Sequence, residues 1–105
     1  MANIFDPLVG SKISSVEMVH DYLQLYFENG EILNIYNKYT LSNCDELKLL
    51  MLVGCKISNI VVNDIEVTIS FTTGELINVS LLDADYSGPE AMQYIDMNKN
   101  HFILS

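Results

Sequence analysis

The sequence predicts a mainly β fold of the α+β class: a tandem βββα repeat with pseudo-twofold symmetry. Its two antiparallel sheets would form a sandwich or half-barrel with two short helices. Three observations lead there. The chain matches itself at an offset of 44 residues, without a gap over residues 8–35 and 52–79, with identity at 10 of 28 positions. The segments inside each copy alternate apolar and polar residues with a period of two, as half-buried antiparallel strands do. Each copy carries a glycine-containing turn between its two clearest alternating runs, Asn29-Gly30 in one and Thr73-Gly74 in the other.

The duplication sets the boundaries. The 105 residues form one domain, with repeats at about 8–51 and 52–95 and a closing segment at 96–105. Leu8-Val9-Gly10-Ser11-Lys12-Ile13-Ser14 aligns with Leu52-Val53-Gly54-Cys55-Lys56-Ile57-Ser58. One copy alone would leave an apolar sheet face in water, whereas two copies can bury those faces against each other.

Asp6-Pro7 reads as a single helical turn ahead of the first strand, placed at about 12–19 with its counterpart at 56–63. In the second strand Asp21, Leu23, Leu25 and Phe27 alternate with Tyr22, Gln24, Tyr26 and Glu28; in the other copy Ile65, Val67, Ile69 and Phe71 alternate with Glu66, Thr68, Ser70 and Thr72. Asn29-Gly30 predicts a hairpin because both residues tolerate positive φ, and Thr73-Gly74 fits a hairpin with the glycine left-handed. Third strands follow at 31–37 and 75–82. The first helix is expected from an Ser42 N-cap, through Leu47, Leu50 and Met51 on one apolar face, to a left-handed cap at Gly54. The second is expected from Ser87-Gly88-Pro89-Glu90, with Ala91, Met92, Tyr94 and Ile95 continuing it. His101-Phe102-Ile103-Leu104 reads as a closing edge strand.

Composition narrows function. Half of the residues are hydrophobic and 18% are charged, which excludes a disordered tail or low-complexity linker. Fourteen acidic side chains face five lysines and no arginine, for a net charge of −9. Nucleic-acid affinity comes mainly from Lys and Arg neutralising phosphates, so direct nucleic-acid binding is not expected, nor is an anionic membrane surface. No apolar run is long enough to span a bilayer, and the first residues lack the basic start of an export signal, so the expected compartment is the cytoplasm. Cys44 and Cys55 read as two buried thiols.

No nucleophile elbow, phosphate loop or zinc-binding helix motif occurs, and no metal or cofactor is expected. His20 aligns with Asp64 at a polar turn, which leaves a Cys44–His20 dyad without any residue to orient it. Asp83 and Asp85 fit a solvated or capping loop better than an acid/base pair. The expected activity is therefore binding rather than catalysis.

The repeat exposes an asymmetry that points to a binding surface. Tyr22, Tyr26 and Tyr36 fall on the outer face, where the other copy has Glu66, Ser70 and Ser80; Glu28 and Asn34 lie on the same side. A second candidate is the acidic loop with Asp83, Asp85 and Tyr86, joined by Glu90. Tyrosine suits an interface because it buries much area at small entropic cost. The candidate partner-binding set is Tyr22, Tyr26, Glu28, Tyr36, Asp83, Asp85, Tyr86 and Glu90.

The pattern Leu8-Val9-Gly10 followed by Lys12-Ile13, then Phe27-x-x-Gly30-x-x-Leu33-x-Ile35, resembles small bacterial immunity proteins of contact-dependent growth inhibition. That resemblance implies a cytoplasmic antitoxin whose partner is a toxin domain. With this charge the partner would be basic, a nuclease and by expectation a ribonuclease. The duplicated arrangement also resembles Whirly-type half-barrels, which bind single-stranded nucleic acid; the scarcity of basic residues here argues against that activity. Competing readings are a protein–protein adaptor or homo-oligomer formed by sheet edges, and a ligand-binding or enzymatic module with a pocket between the repeats.

Overall fold

A computed structural model describes residues 3–19, 22–42 and 46–105. Its strands are β1 (Ile13–Val19), β2 (Tyr22–Phe27), β3 (Ile32–Ile35), β4 (Tyr39–Ser42), β5 (Ile57–Val62), β6 (Glu66–Phe71), β7 (Leu76–Ser80), β8 (Met92–Ile95) and β9 (His101–Leu104). They form a five-stranded sheet in the order β1-β2-β3-β8-β9 and a four-stranded sheet in the order β4-β7-β6-β5. Every pairing in both sheets is antiparallel.

Alternation builds the core. Leu23, Leu25, Phe27, Leu33 and Ile35 from one sheet join Val67, Ile69, Phe71, Ile77 and Val79 from the other in one buried cluster. Complete burial of each such Leu, Ile or Phe contributes about 1.5–3 kcal/mol. Leu8, the last residue of the 3-10 turn Asp6–Leu8, joins that cluster together with Phe5, which precedes the turn.

The 44-residue offset also relates backbone hydrogen bonds. Gly10 N–H donates to Ile57 C=O at 2.7 Å, and Gly54 N–H donates to Ile13 C=O at 2.8 Å. Ile13 N–H donates to Cys55 C=O, as Ile57 N–H does to Ser11 C=O. Between them Lys12 and Lys56 form an isolated antiparallel bridge. β1 and β5 each carry a register shift, between Ile13 and Ser15 and between Ile57 and Asn59.

Both hairpins use the same turn. Phe27 N–H donates to Glu31 C=O and Phe71 N–H to Glu75 C=O, with Gly30 and Gly74 at φ 93° and 100°. Lys99 is the non-glycine residue with positive φ among those described, so in the Asn29-Gly30 pair the glycine alone uses that freedom. Three-residue loops with a left-handed glycine replace the two-residue turn that Asn-Gly suggested.

Two further expectations need correction. The segment expected as the first α-helix is a 3-10 helix at Glu46–Leu52, and Ser42 ends β4 instead of capping a helix. Leu49 and Leu52 are buried while Leu50 and Met51 are exposed, a three-residue spacing that matches the tighter helix. Gly54 still takes a left-handed conformation, at φ 89°. The second expected helix is a strand: Met92–Ile95 is β8, with Met92 and Tyr94 buried and Gln93 and Ile95 half-buried. Two residues per period in four residues is too short a signal to outweigh a proline and a capping-box spacing. The open edge of β3 supplies the deciding force, because its backbone groups need partners.

β4 and β8 each cross to the other sheet. β4 follows the first three strands but pairs with β7, placing Tyr39 opposite Val79. β8 follows the second three but pairs with β3, placing Met92 opposite Ile35. Ile35 and Val79 are 44 residues apart, so at that offset β4 and β8 take corresponding places beside β7 and β3. The closing strand β9 extends the five-stranded sheet through β8 and leaves Phe102 and Ile103 largely exposed.

Candidate functional site

The outer face of the five-stranded sheet carries the tyrosines in the order the alternation requires. Gln24 lies opposite Asn34, which lies opposite Gln93, and these form the middle row. Tyr22 and Tyr36 close one end, their ring centroids 5.1 Å apart at a tilt of 58°. Tyr36 donates its hydroxyl to Gln93 Oε1 at 3.0 Å, and Asn34 Nδ2 donates to the same oxygen at 3.3 Å. Gln93 Nε2 then donates to His101 Nδ1 at 2.8 Å, so one polar chain crosses β3, β8 and β9. Tyr26 donates to Gln24 Oε1 at 2.5 Å.

Burial raises the pKa of Tyr36, and the nearby negative charge of Glu90 adds to that, against a lowering contribution from Asn34. Tyr26 is raised as well, first by burial and then by Glu17. Both phenols are neutral hydrogen-bonding groups near pH 7.

The acidic loop folds against the same tyrosine. Its short 3-10 turn at Asp83–Asp85 is anchored at both faces of Asp85: Oδ2 accepts from Ser80 Oγ at 2.6 Å, and the carbonyl accepts from Lys38 N–H at 3.1 Å. Ser87 Oγ donates to the Tyr36 carbonyl at 3.0 Å. Tyr86 packs partly against the core. A cleft of about 550 Å³ lies between Tyr36, Asn37 and Lys38 on one side and Asp85, Tyr86 and Ser87 on the other. A smaller groove of about 260 Å³ runs from Tyr36 along Ser87, Gly88 and Pro89 to Glu90. Tyr36 lines both.

Two buried acceptors flank this tyrosine. Asn34 Oδ1 and Asn37 Oδ1 have no hydrogen-bond partner. Asn37 is 2% exposed and spends its amide nitrogen on the Ser80 carbonyl at 2.7 Å. In the other half Asn78 occupies the position of Asn34, and there Oδ1 accepts from Thr68 Oγ1 at 3.0 Å. Gln24 takes the place of Thr68, and its own oxygen is engaged by Tyr26. Unmet buried acceptors are uncommon and tend to mark strained or functional places. A surface with carboxylates and aromatic rings favours a partner rich in donors and positive charge, as Lys and Arg supply.

The structure therefore gathers the candidates around Tyr36: Asp85 and Tyr86 across the larger cleft, Glu90 along the smaller groove, and Tyr22 against its ring, with exposed Asp83 on the turn of Asp85. It does not bring in Glu28, which sits in the β2–β3 turn and faces Lys12 Nζ at 3.9 Å. Tyr26 shares the outer face but lies four residues along β2 from Tyr22. Asn37 and Gln93 join the site without being among the sequence candidates, and Ser87 reads in the sequence only as a helix start. Gln93 had no signal, because β8 read as a helix; Asn37 could have been noticed as the second Asn beside Tyr36. The His20 and Cys44 positions lie outside the described residues. Among the described residues no group of three His, Cys, Asp or Glu side chains is placed to hold a metal ion. No helix among them is long and apolar enough to cross a membrane. No family profile, curated protein or solved structure matches the chain.

Proposed function

We propose that this chain is an immunity protein, a stoichiometric inhibitor that binds a basic toxin domain of the nuclease class in the cytoplasm and covers its substrate cleft. The observation that carries this reading is the surface around Tyr36, where Asp85 and Tyr86 line one cleft and Glu90 an adjoining groove, on a chain of net charge −9. A nuclease needs a positive cleft for its phosphate substrate, and an acidic surface competes for that cleft. Charge complementarity would speed encounter toward about 10⁸–10⁹ M⁻¹s⁻¹ at low salt. Buried tyrosines would supply the anchors that slow dissociation. The test is mixing the chain with the inactivated toxin domain encoded beside its gene and measuring complex formation with and without Tyr36→Ala. A 1:1 complex weakened by the substitution supports the reading, and absence of a complex refutes it.

The same proposal includes a duplicated fold in which two three-strand units are related by a pseudo-twofold axis near Lys12 and Lys56. The reciprocal hydrogen bonds of Gly10 and Gly54, the matched register shifts and the crossing strands β4 and β8 support it. A second reading, self-association through a sheet edge, is favoured by the exposure of Phe102 and Ile103 on the edge strand β9. Light scattering separates the two: a stable dimer abolished by Ile103→Lys supports the edge reading.

A further inference from the structure

A cavity of about 520 Å³ lies at the other end of β3, beyond Glu31, where the β8–β9 turn and the N-terminal segment meet. Ile4, Pro7, Met97 and Phe102 line it on its apolar side, and Asn3, Asn29 and Asn98 with the carboxyl residues Glu31 and Asp96 on its polar side, Glu31 being the buried one of the two. Glu31 is 4% exposed. Its oxygens accept from Ser11 Oγ at 3.2 Å and from Asn29 Nδ2 and the Tyr94 hydroxyl. All three donors are neutral, and no lysine lines the cavity. A buried carboxylate is costly to hold without an opposite charge, and neutral donors offset only part of that cost.

The other half of the molecule shows that this burial is not a requirement of the hairpin. Glu75 is the equivalent residue; it accepts from Thr73 Oγ1 and remains half-buried. Glu31 differs because Tyr94 reaches over it from β8, and Tyr94 in turn stacks on Phe102 of β9 at 5.5 Å. Aromatic faces next to a carboxylate suit a cationic head, and the apolar walls suit a short aliphatic stem.

We propose that this cavity binds an organic cation, a guanidinium or ammonium group on a short apolar stem, with Glu31 as its counter-charge. The site is separate from the cleft at Tyr36 and does not depend on the function proposed for it. The same chemistry is available from a free amine and from an Arg or Lys side chain of a polypeptide.

Titration of the ¹⁵N-labelled chain with ethylguanidinium, with the tripeptide Gly-Arg-Gly and with neutral ethylurea tests it. Saturable shifts at Asn29, Tyr94 and Phe102 are expected for the two cations, with Kd on the order of 1–10 mM. Tighter binding of the tripeptide supports a polypeptide source, and tighter binding of ethylguanidinium supports a free amine. Glu31→Gln is expected to weaken both cations at least about tenfold, whereas Glu75→Gln leaves them unchanged. Phe102→Ala, which alters a wall and keeps the carboxylate, is expected to weaken them as well and serves if Glu31→Gln does not fold. Equal binding of ethylurea, unsaturable shifts, or loss of binding in Glu75→Gln as large as in Glu31→Gln overturns the proposal.

Discussion

Replacing Gly10 and Gly54 by alanine probes the centre of the molecule. Both sit at φ near +90°, in the region where an L side chain is strained, and both donate across the junction to the opposite half. A Cβ added at either position meets no atom within 4 Å, so packing adds no penalty. The cost is then the backbone's own: the left-handed penalty is roughly 1–2 kcal/mol. Loss of unfolded-state freedom returns about 0.4–1 kcal/mol of it. The net expectation is about 1 kcal/mol for each substitution and about 2 kcal/mol for the pair. For a domain of this size 1 kcal/mol lowers Tm by about 4–8 °C. Gly88 is the control: its φ is not positive and its Cβ would point into open space, so Gly88→Ala should be neutral or slightly stabilising. Urea unfolding of the four variants reads these values directly. The reasoning fails if either single substitution costs more than about 3 kcal/mol, or if Gly10→Ala and Gly88→Ala are equally harmless.

Three other outcomes are expected. Tyr94→Phe removes a hydroxyl donor from the Glu31 carboxylate, and urea unfolding should show a loss of about 1.5–3 kcal/mol. Burial first, then the Glu31 hydrogen bond, raises the Tyr94 pKa far above its ordinary 10.0, so the stability it confers is present below pH 10 and lost as pH rises beyond that; Tm measured from pH 8 to 11 should fall less steeply in Tyr94→Phe. Backbone N–H groups of Asn100 and Asn98 hold the Asp96 pKa below 3.8, with Asn100 the larger contributor, so its stabilisation is present above that value and disappears as pH falls through the lower folded pKa. Thermal melts between pH 2 and 5 should show a smaller acid-side loss in Asp96→Asn than in the parent chain.

Much of the strand framework is legible because its signal repeats. The alternation of Leu23, Leu25 and Phe27 recurs at Val67, Ile69 and Phe71, and all six are buried. The glycine turns and the closing strand are legible for similar local reasons. β4 and β8 are not, since four residues carry barely two periods, and the apolar run at Ala91–Met92 follows a Ser-Gly-Pro-Glu sequence that imitates a helix start. Their crossing to the other sheet is a tertiary event: it depends on which open edge is within reach, and no local propensity encodes that. For the site, alternation placed Tyr22 and Tyr36 on one face, and the acidic loop was recognisable by composition. Their meeting at Tyr36 depends on Ser87 and Lys38 hydrogen bonds made across the fold. The cavity at Glu31 was invisible in the same way, because Glu31 and Glu75 are identical in sequence and differ only in what β8 and β9 lay over them.

The most direct test of the functional account is the salt dependence of association with the inactivated toxin domain, followed by stopped-flow fluorescence between 50 and 500 mM NaCl. The account predicts a rate that falls at least about tenfold across that range, with Asp85→Asn and Glu90→Gln lowering the low-salt rate and Tyr36→Ala raising the dissociation rate. A rate indifferent to salt, or one unchanged by all three substitutions, contradicts it.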